Sequence, residues 1–207
     1  MKRKLRQEAL KRKLSQYAPL LAKLQALTKK GSKQFRDVLR GFDNVGLKVG
    51  DGAPRESGGY YCSPLNSKCF ASTGGEGVHF SFLAEKPDIH FDELPVIITI
   101  PMAFGNSNFI VGESLHEFLS LGSYRGYFAL EQLGHQLQKT LDVYADPEWQ
   151  AETHSEFWVG FGVSELQAKV LTFLRTELEL SQWPHLKTRF FELQEKYSRL
   201  LRVPDTQ

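Results

Sequence analysis

Two cysteines in 207 residues are too few for a disulfide framework, which fits a reducing compartment. Long apolar runs are missing too. The longest candidate, Leu94–Phe104, is short and contains Pro95 and Pro101, so it falls well below the ~18 apolar residues of a membrane span. The basic N-terminus leads into a charged, leucine-spaced segment and not into an apolar block, so no secretory leader is expected and the predicted location is the cytoplasm. Internal repeats and low-complexity tracts are absent. With 41% apolar and 24% charged residues, the composition excludes a wholly disordered, collagen-like or coiled-coil chain. The length suffices for one sizeable core or two small ones.

Neither charge sign dominates, yet the charges are unevenly spread. Residues 1–30 hold ten Lys/Arg against Glu8, a net +9, and the other 177 residues carry a net −7. A basic arm on an acidic body could bind nucleic acid or an anionic membrane surface. It could equally be the solvated face of a helix packed on its own chain, because Leu10, Leu14, Tyr17, Leu21 and Leu24 repeat at 4, 3, 4, 3. Pro19 predicts a kink or break near Tyr17, and Phe35, Val38 and Leu39 suggest a second helix over about Ser32–Arg40, ended by Gly41.

Between Gly41 and Gly77 nine glycines and two prolines predict turns with short strands between them. Tyr60–Cys62 and Lys68–Ala71 are expected to pair across Pro64–Ser67. Val78–Leu83, Leu94–Ile100 and Phe109–Val111 complete the strand set. From Gly112 onward the pattern is helical. Ser114 with Glu117 and Ser164 with Gln167 are capping-box signatures, a helix is expected over Tyr124–Leu133, and Leu137, Leu141 and Tyr144 continue the spacing. Pro184 opens a last helix carrying Leu186, Phe190, Leu193, Tyr197 and Leu200. Strands grouped in the middle, with helices before and after, read as α+β around an antiparallel or mixed sheet. The division expected is a basic helical arm over 1–40, an α+β core over 41–134, and C-terminal helices over 135–207 packed on the same domain.

Reactive chemistry finds little support in these residues. Cys62 and Cys69, with His79 and His90, lack the spacing of a zinc site, and a Cys62–His79 nucleophile pair has only residue type in its favour. Gly74-Gly75-Glu76-Gly77 lacks the Lys-Ser/Thr of a phosphate loop and precedes a strand, so a turn with positive φ is expected. His116 and Glu117 are expected at the surface or in a cap. Phe104, Phe109, Phe118, Tyr124, Tyr127 and Phe128 should form core, and an exposed subset would mark a binding surface. Glu85, Asp88, Asp92 and Glu93 against the single Lys86 make an acidic loop able to steer a basic protein partner, or merely a solvated loop. These four are the candidate partner-binding residues. No catalytic, cofactor-binding or metal-ligating residue is assigned.

Three stretches read together resemble one family. Phe70-Ala-Ser-Thr-Gly-Gly-Glu-Gly-Val-His-Phe-Ser-Phe-Leu83, Pro95-Val-Ile-Ile-Thr-Ile-Pro-Met-Ala-Phe-Gly105, and Ile110-Val-Gly-Glu-Ser-Leu-His-Glu-Phe-Leu-Ser-Leu-Gly122 followed by Gly126-Tyr-Phe-Ala-Leu-Glu-Gln-Leu133 resemble the SUKH superfamily. That superfamily comprises bacterial immunity-type proteins related to a yeast regulator of cell-wall synthesis. The resemblance covers about Gly41–Leu133. It implies a strongly bent central sheet flanked by helices, no enzymatic activity, no cofactor, and binding of a cognate protein toxin whose active site is occluded. Two alternatives stand beside it: a regulatory or scaffold protein of the same fold with an endogenous partner, and nucleic-acid binding through the basic arm.

Overall fold

Aromatic and β-branched runs in the middle of the chain form one antiparallel sheet, and the helical segments on either side of it in sequence close over the core, an α+β architecture. The structure is a computed structural model that describes residues 16–35, 42–57, 59–84, 90–103, 105–146 and 163–204. Among these residues the strands are β1 (Lys48–Val49), β2 (Arg55–Glu56), β3 (Ser67–Ser72), β4 (His79–Leu83), β5 (Val96–Thr99) and β6 (Asn108–Gly112). The helices are α1 (Pro19–Gln34), α2 (Leu115–Gly122), α3 (Leu133–Ala145), α4 (Glu165–Leu178) and α5 (Leu186–Tyr197). The sheet order is β1-β3-β4-β5-β6, with β2 also on β3, and every pair is antiparallel. Register shifts at Cys69/Ala71 and Val96/Ile97 mark bulges, which bend the strands they interrupt.

Alternation on β4 divides the core. Phe80 and Phe82 point to one face, where Phe82 stacks on Phe70 at 4.3 Å and Phe80 meets Phe118 of α2 at 4.8 Å between ring centroids. Tyr127 closes on Phe118 at 5.2 Å. Each fully buried phenylalanine contributes roughly 1.5–3 kcal/mol by leaving water. Val170, Leu171, Leu174, Phe190 and Leu193 join the same buried cluster, so the C-terminal helices share the core of the sheet.

Both serine N-caps predicted from Ser114 and Ser164 are present, but the full capping box forms only at Ser164, since the Glu117 carboxylate accepts from Glu113 N–H at 2.5 Å and not from Ser114 N–H. Ser114 accepts from the Glu117 amide at 3.2 Å, and Ser164 and Gln167 form a reciprocal capping box. The break expected at Pro19 is also present, since α1 begins there with Ala18 outside the helix. Its first amides are capped from far away in sequence: Leu20 and Leu21 donate to the Asp92 carboxylate at 2.6 and 3.1 Å. An N-terminal cap of this kind is worth about 1 kcal/mol.

Three sequence expectations change. Helix α1 runs through Gly31 to Gln34 and does not restart at Ser32. Gly31 is a packing residue, because a Cβ there would lie 3.2 Å from the Phe42 ring. Residues 36–41 lie outside the described set. Tyr60–Cys62 is a turn and not a strand, closed by Ser63 N–H donating to Tyr60 C=O at 3.1 Å. The edge of β3 it was expected to fill is taken by β1 and β2. The helix expected over Tyr124–Leu133 is a turn followed by a 3₁₀ segment, Phe128–Gln132, because Gly126 adopts φ +80° and Tyr127 N–H bonds back to Val45 C=O at 2.7 Å.

The two sheet edges are treated differently. At β6 the Gln194 side chain imitates a neighbouring strand, accepting from Ile110 N–H at 2.9 Å and donating to Ile110 C=O at 2.8 Å. Helix α5 is fixed there by Arg189, which donates to Glu117 at 2.7 Å and to Glu113 at 2.5 Å, and by Lys196 and Tyr197, which also bond Glu113. At the other edge β1 and β2 are short, exposed, and separated by the loop Gly50–Pro54.

Candidate functional site

The register gathers one end of the sheet into a site. Ser72 and His79 flank the β3–β4 turn, His79 pairs with Thr99, and Thr99 pairs with Asn108 across the β5–β6 connection. Residues 60–63 lie over this end. Asn108 donates to Cys62 C=O at 2.9 Å and Thr99 donates to the Asn108 side chain at 2.8 Å. Tyr60 stacks on His79 at 5.9 Å and 23°.

His79 is buried and fully engaged. Its Nδ1 donates to Gly77 C=O at 2.8 Å, which leaves Nε2 to accept from the Ser63 hydroxyl at 3.3 Å. Burial holds its pKa below the ordinary histidine value, so the neutral ring is favoured. Beside it, Ser57 and Ser81 share a hydrogen bond of 2.7 Å, and burial raises the Cys69 thiol. Cys62 is also raised by burial, and its carbonyl is the Asn108 acceptor. Cys62 and His79 thus engage different partners, and His90 lies against Tyr17 at 6.1 Å. No group of three His, Cys, Asp or Glu able to hold a metal occurs among the described residues.

Next to the Tyr60–His79 stack runs an open groove of about 680 Å³. One wall is the 74–77 turn and the other is the 50–53 loop, with Phe70 and Ala71 between them. The turn has the positive φ values expected: +92° at Gly74, +48° at Glu76 and +74° at Gly77. Gly77 is required twice over, since a Cβ there would fall 2.3 Å from the Tyr60 hydroxyl. The groove carries five charged side chains. Asp51 pairs with Lys29 at 3.7 Å and Glu56 pairs with Lys68. Lys48 and Arg55 form no ion pair among the described residues. The carboxyl of Glu131 is raised first by burial and then by the Glu76 charge.

Above the groove stands an exposed apolar crown. Tyr60 is 44% exposed, Tyr61 63% and Met102 62%. Tyr61 donates its hydroxyl to Pro101 C=O at 3.2 Å, which brings it beside Met102 on the β5–β6 connection. Of the aromatic set expected in the core, Phe109, Phe118 and Tyr127 are buried, Tyr124 and Phe128 are partly exposed, and Phe104 lies outside the described residues.

Of the four acidic candidates, the two that are described lie elsewhere. Asp92 and Glu93 follow β4 at the opposite end of the sheet, with Asp92 capping α1 and Glu93 exposed. Glu85 and Asp88 lie outside the described residues. His116 is exposed, and Glu117 combines its cap role with the Arg189 ion pair. Part of the basic arm is committed within the chain, Lys29 to Asp51 and Lys30 to Glu177, while residues 1–15 lie outside the described set. Sequence reasoning missed Tyr60, Tyr61, Met102, Lys48 and Arg55. The available signal was a tyrosine pair directly after Gly58-Gly59, in a stretch too turn-rich to bury both rings.

No protein-family model matches this chain, and comparison with curated proteins and with solved structures gives no match.

Proposed function

We propose that the chain is a non-enzymatic protein-binding module that neutralises a cognate toxin by covering its active site, as the resemblance to SUKH immunity proteins implies. The observation that carries this reading is the exposed crown of Tyr60, Tyr61 and Met102 at one end of the sheet. Tyrosine supplies a large contact area with a polar tip and few rotatable bonds, and methionine adapts its shape to the opposing surface. Such residues are enriched where interfaces take most of their energy, and truncating one costs about 2 kcal/mol or more of binding. Residues 61–63 are pinned by the Asn108, Ser63 and Tyr61 bonds, so this part of the crown is held in place before a partner arrives.

The experiment is co-expression with a toxin encoded beside this protein, with growth as the readout. Wild type restores growth, and the double variant Tyr61→Ala/Met102→Ala loses protection by at least 30-fold in the toxin dose tolerated, while its circular dichroism is unchanged. Full protection by the folded double variant, or protection against no toxin, overturns the proposal.

A further inference from the structure

The groove beside the crown points to a property of the partner. We infer that it receives an extended, acidic segment of the bound protein, whose carboxylates sit on Lys48 and Arg55; this rests on the protein-binding reading above.

The charge arrangement favours an acidic occupant. Two of the three acids lining the groove are neutralised from outside it, Asp51 by Lys29 and Glu56 by Lys68. The third, Glu76, lies in the 74–77 turn that forms one wall of the groove. Lys48 and Arg55 are exposed and without an ion pair among the described residues. The groove therefore presents two available cations along a surface floored by the Phe70–Ala71 backbone.

An extended chain suits the dimensions. Lys48 stands opposite Ser72 and Arg55 opposite Cys69, three residues apart on β3, or about 10 Å at ~3.3 Å per residue. Acids at positions i and i+2 of an extended peptide lie about 7 Å apart on one side, and flexible lysine and arginine stems span the difference. A groove open along its length and walled by loops at both sides fits a peptide better than an enclosed small molecule, whose sites bury ~70–90% of the ligand surface.

The test uses the full chain labelled with ¹⁵N and the peptide acetyl-Gly-Glu-Val-Glu-Gly-amide. Saturable shifts are expected at the amides of Gly50, Gly52, Gly74 and Gly75, with at least a tenfold loss of affinity in the variant Lys48→Glu/Arg55→Glu. Both side chains are exposed, so this variant retains the fold, as its unchanged remaining spectrum shows. The same peptide with glutamine for both glutamates binds at least tenfold more weakly. Equal binding of the glutamine peptide, or no saturable shift at millimolar concentration, overturns the inference. So does the same set of shifts from inorganic phosphate alone, or tighter binding of an eight-nucleotide thymidine strand through these amides. A failed peptide titration alongside loss of toxin protection in Tyr61→Ala/Met102→Ala removes this inference and leaves the binding-module reading intact.

Discussion

Replacing Gln194 by leucine keeps the volume of the side chain and removes both bonds that close the β6 edge. Ile110 is completely buried, and its N–H and C=O bond to Gln194 at 2.9 and 2.8 Å. An unsatisfied buried polar group costs about 1–3 kcal/mol. Two such groups set an upper range near 6 kcal/mol, but Gln194 is half-buried, and water reaching the edge restores part of the loss. The expected destabilisation is therefore about 2–3 kcal/mol, or a drop in Tm of about 5–10 °C for a chain of this size. Urea unfolding measures the first quantity and a thermal scan the second. Hydrogen exchange at the Ile110 amide reports on the bond itself and should accelerate. Gln194→Glu adds a check, because a carboxylate placed against the Ile110 carbonyl is unfavourable while a protonated carboxyl can donate to it. That variant should regain stability as the pH falls, the direction expected of a group whose folded pKa is raised. Gln194→Leu within about 0.5 kcal/mol of wild type, with unchanged Ile110 exchange, would refute this account of the edge.

Gly77→Ala places a methyl group at φ +74° and drives it into the Tyr60 ring, so Tyr60 must leave His79. The backbone part alone costs about 1–2 kcal/mol, and Tyr60 ring signals should lose their His79 ring-current shift; retention of that shift at full stability contradicts the proposed fit. Glu113 is held at about pKa 2 against an ordinary 4.5, chiefly by its bonds from Lys196, Tyr197 and Arg189. A depressed folded pKa stabilises above the unfolded value and that stabilisation disappears as pH falls through the folded one. The difference in urea midpoint between wild type and Glu113→Gln should thus be largest above pH 4.5 and shrink toward pH 2; a difference independent of pH would show that the carboxylate charge contributes nothing.

The acidic loop illustrates how far residue type can mislead. Asp92 reads as one of four like charges on a surface, yet its carboxylate is occupied by two amides more than 70 positions earlier in the chain. Nothing near Asp92 in sequence announces those amides. The Ser114 and Ser164 caps were legible because their partners lie three residues away. The same distinction applies to Tyr60 and Tyr61. As a short apolar run between Gly58-Gly59 and Pro64 they resemble strand residues, and only the occupation of the β3 edge by β1 and β2 turns them outward.

Local patterning by itself determined the α+β class, the positions of β4, β5 and β6, the break at Pro19 and the capped helices, because periodicity, caps and prolines act within a few residues. Tertiary structure alone decided which strand lies beside β3, how Gln194 seals the far edge, and which cations in the groove stay available. Each of those outcomes depends on groups distant in sequence competing for one hydrogen bond, one ion partner or one sheet edge. That competition is settled only when the chain has closed on itself.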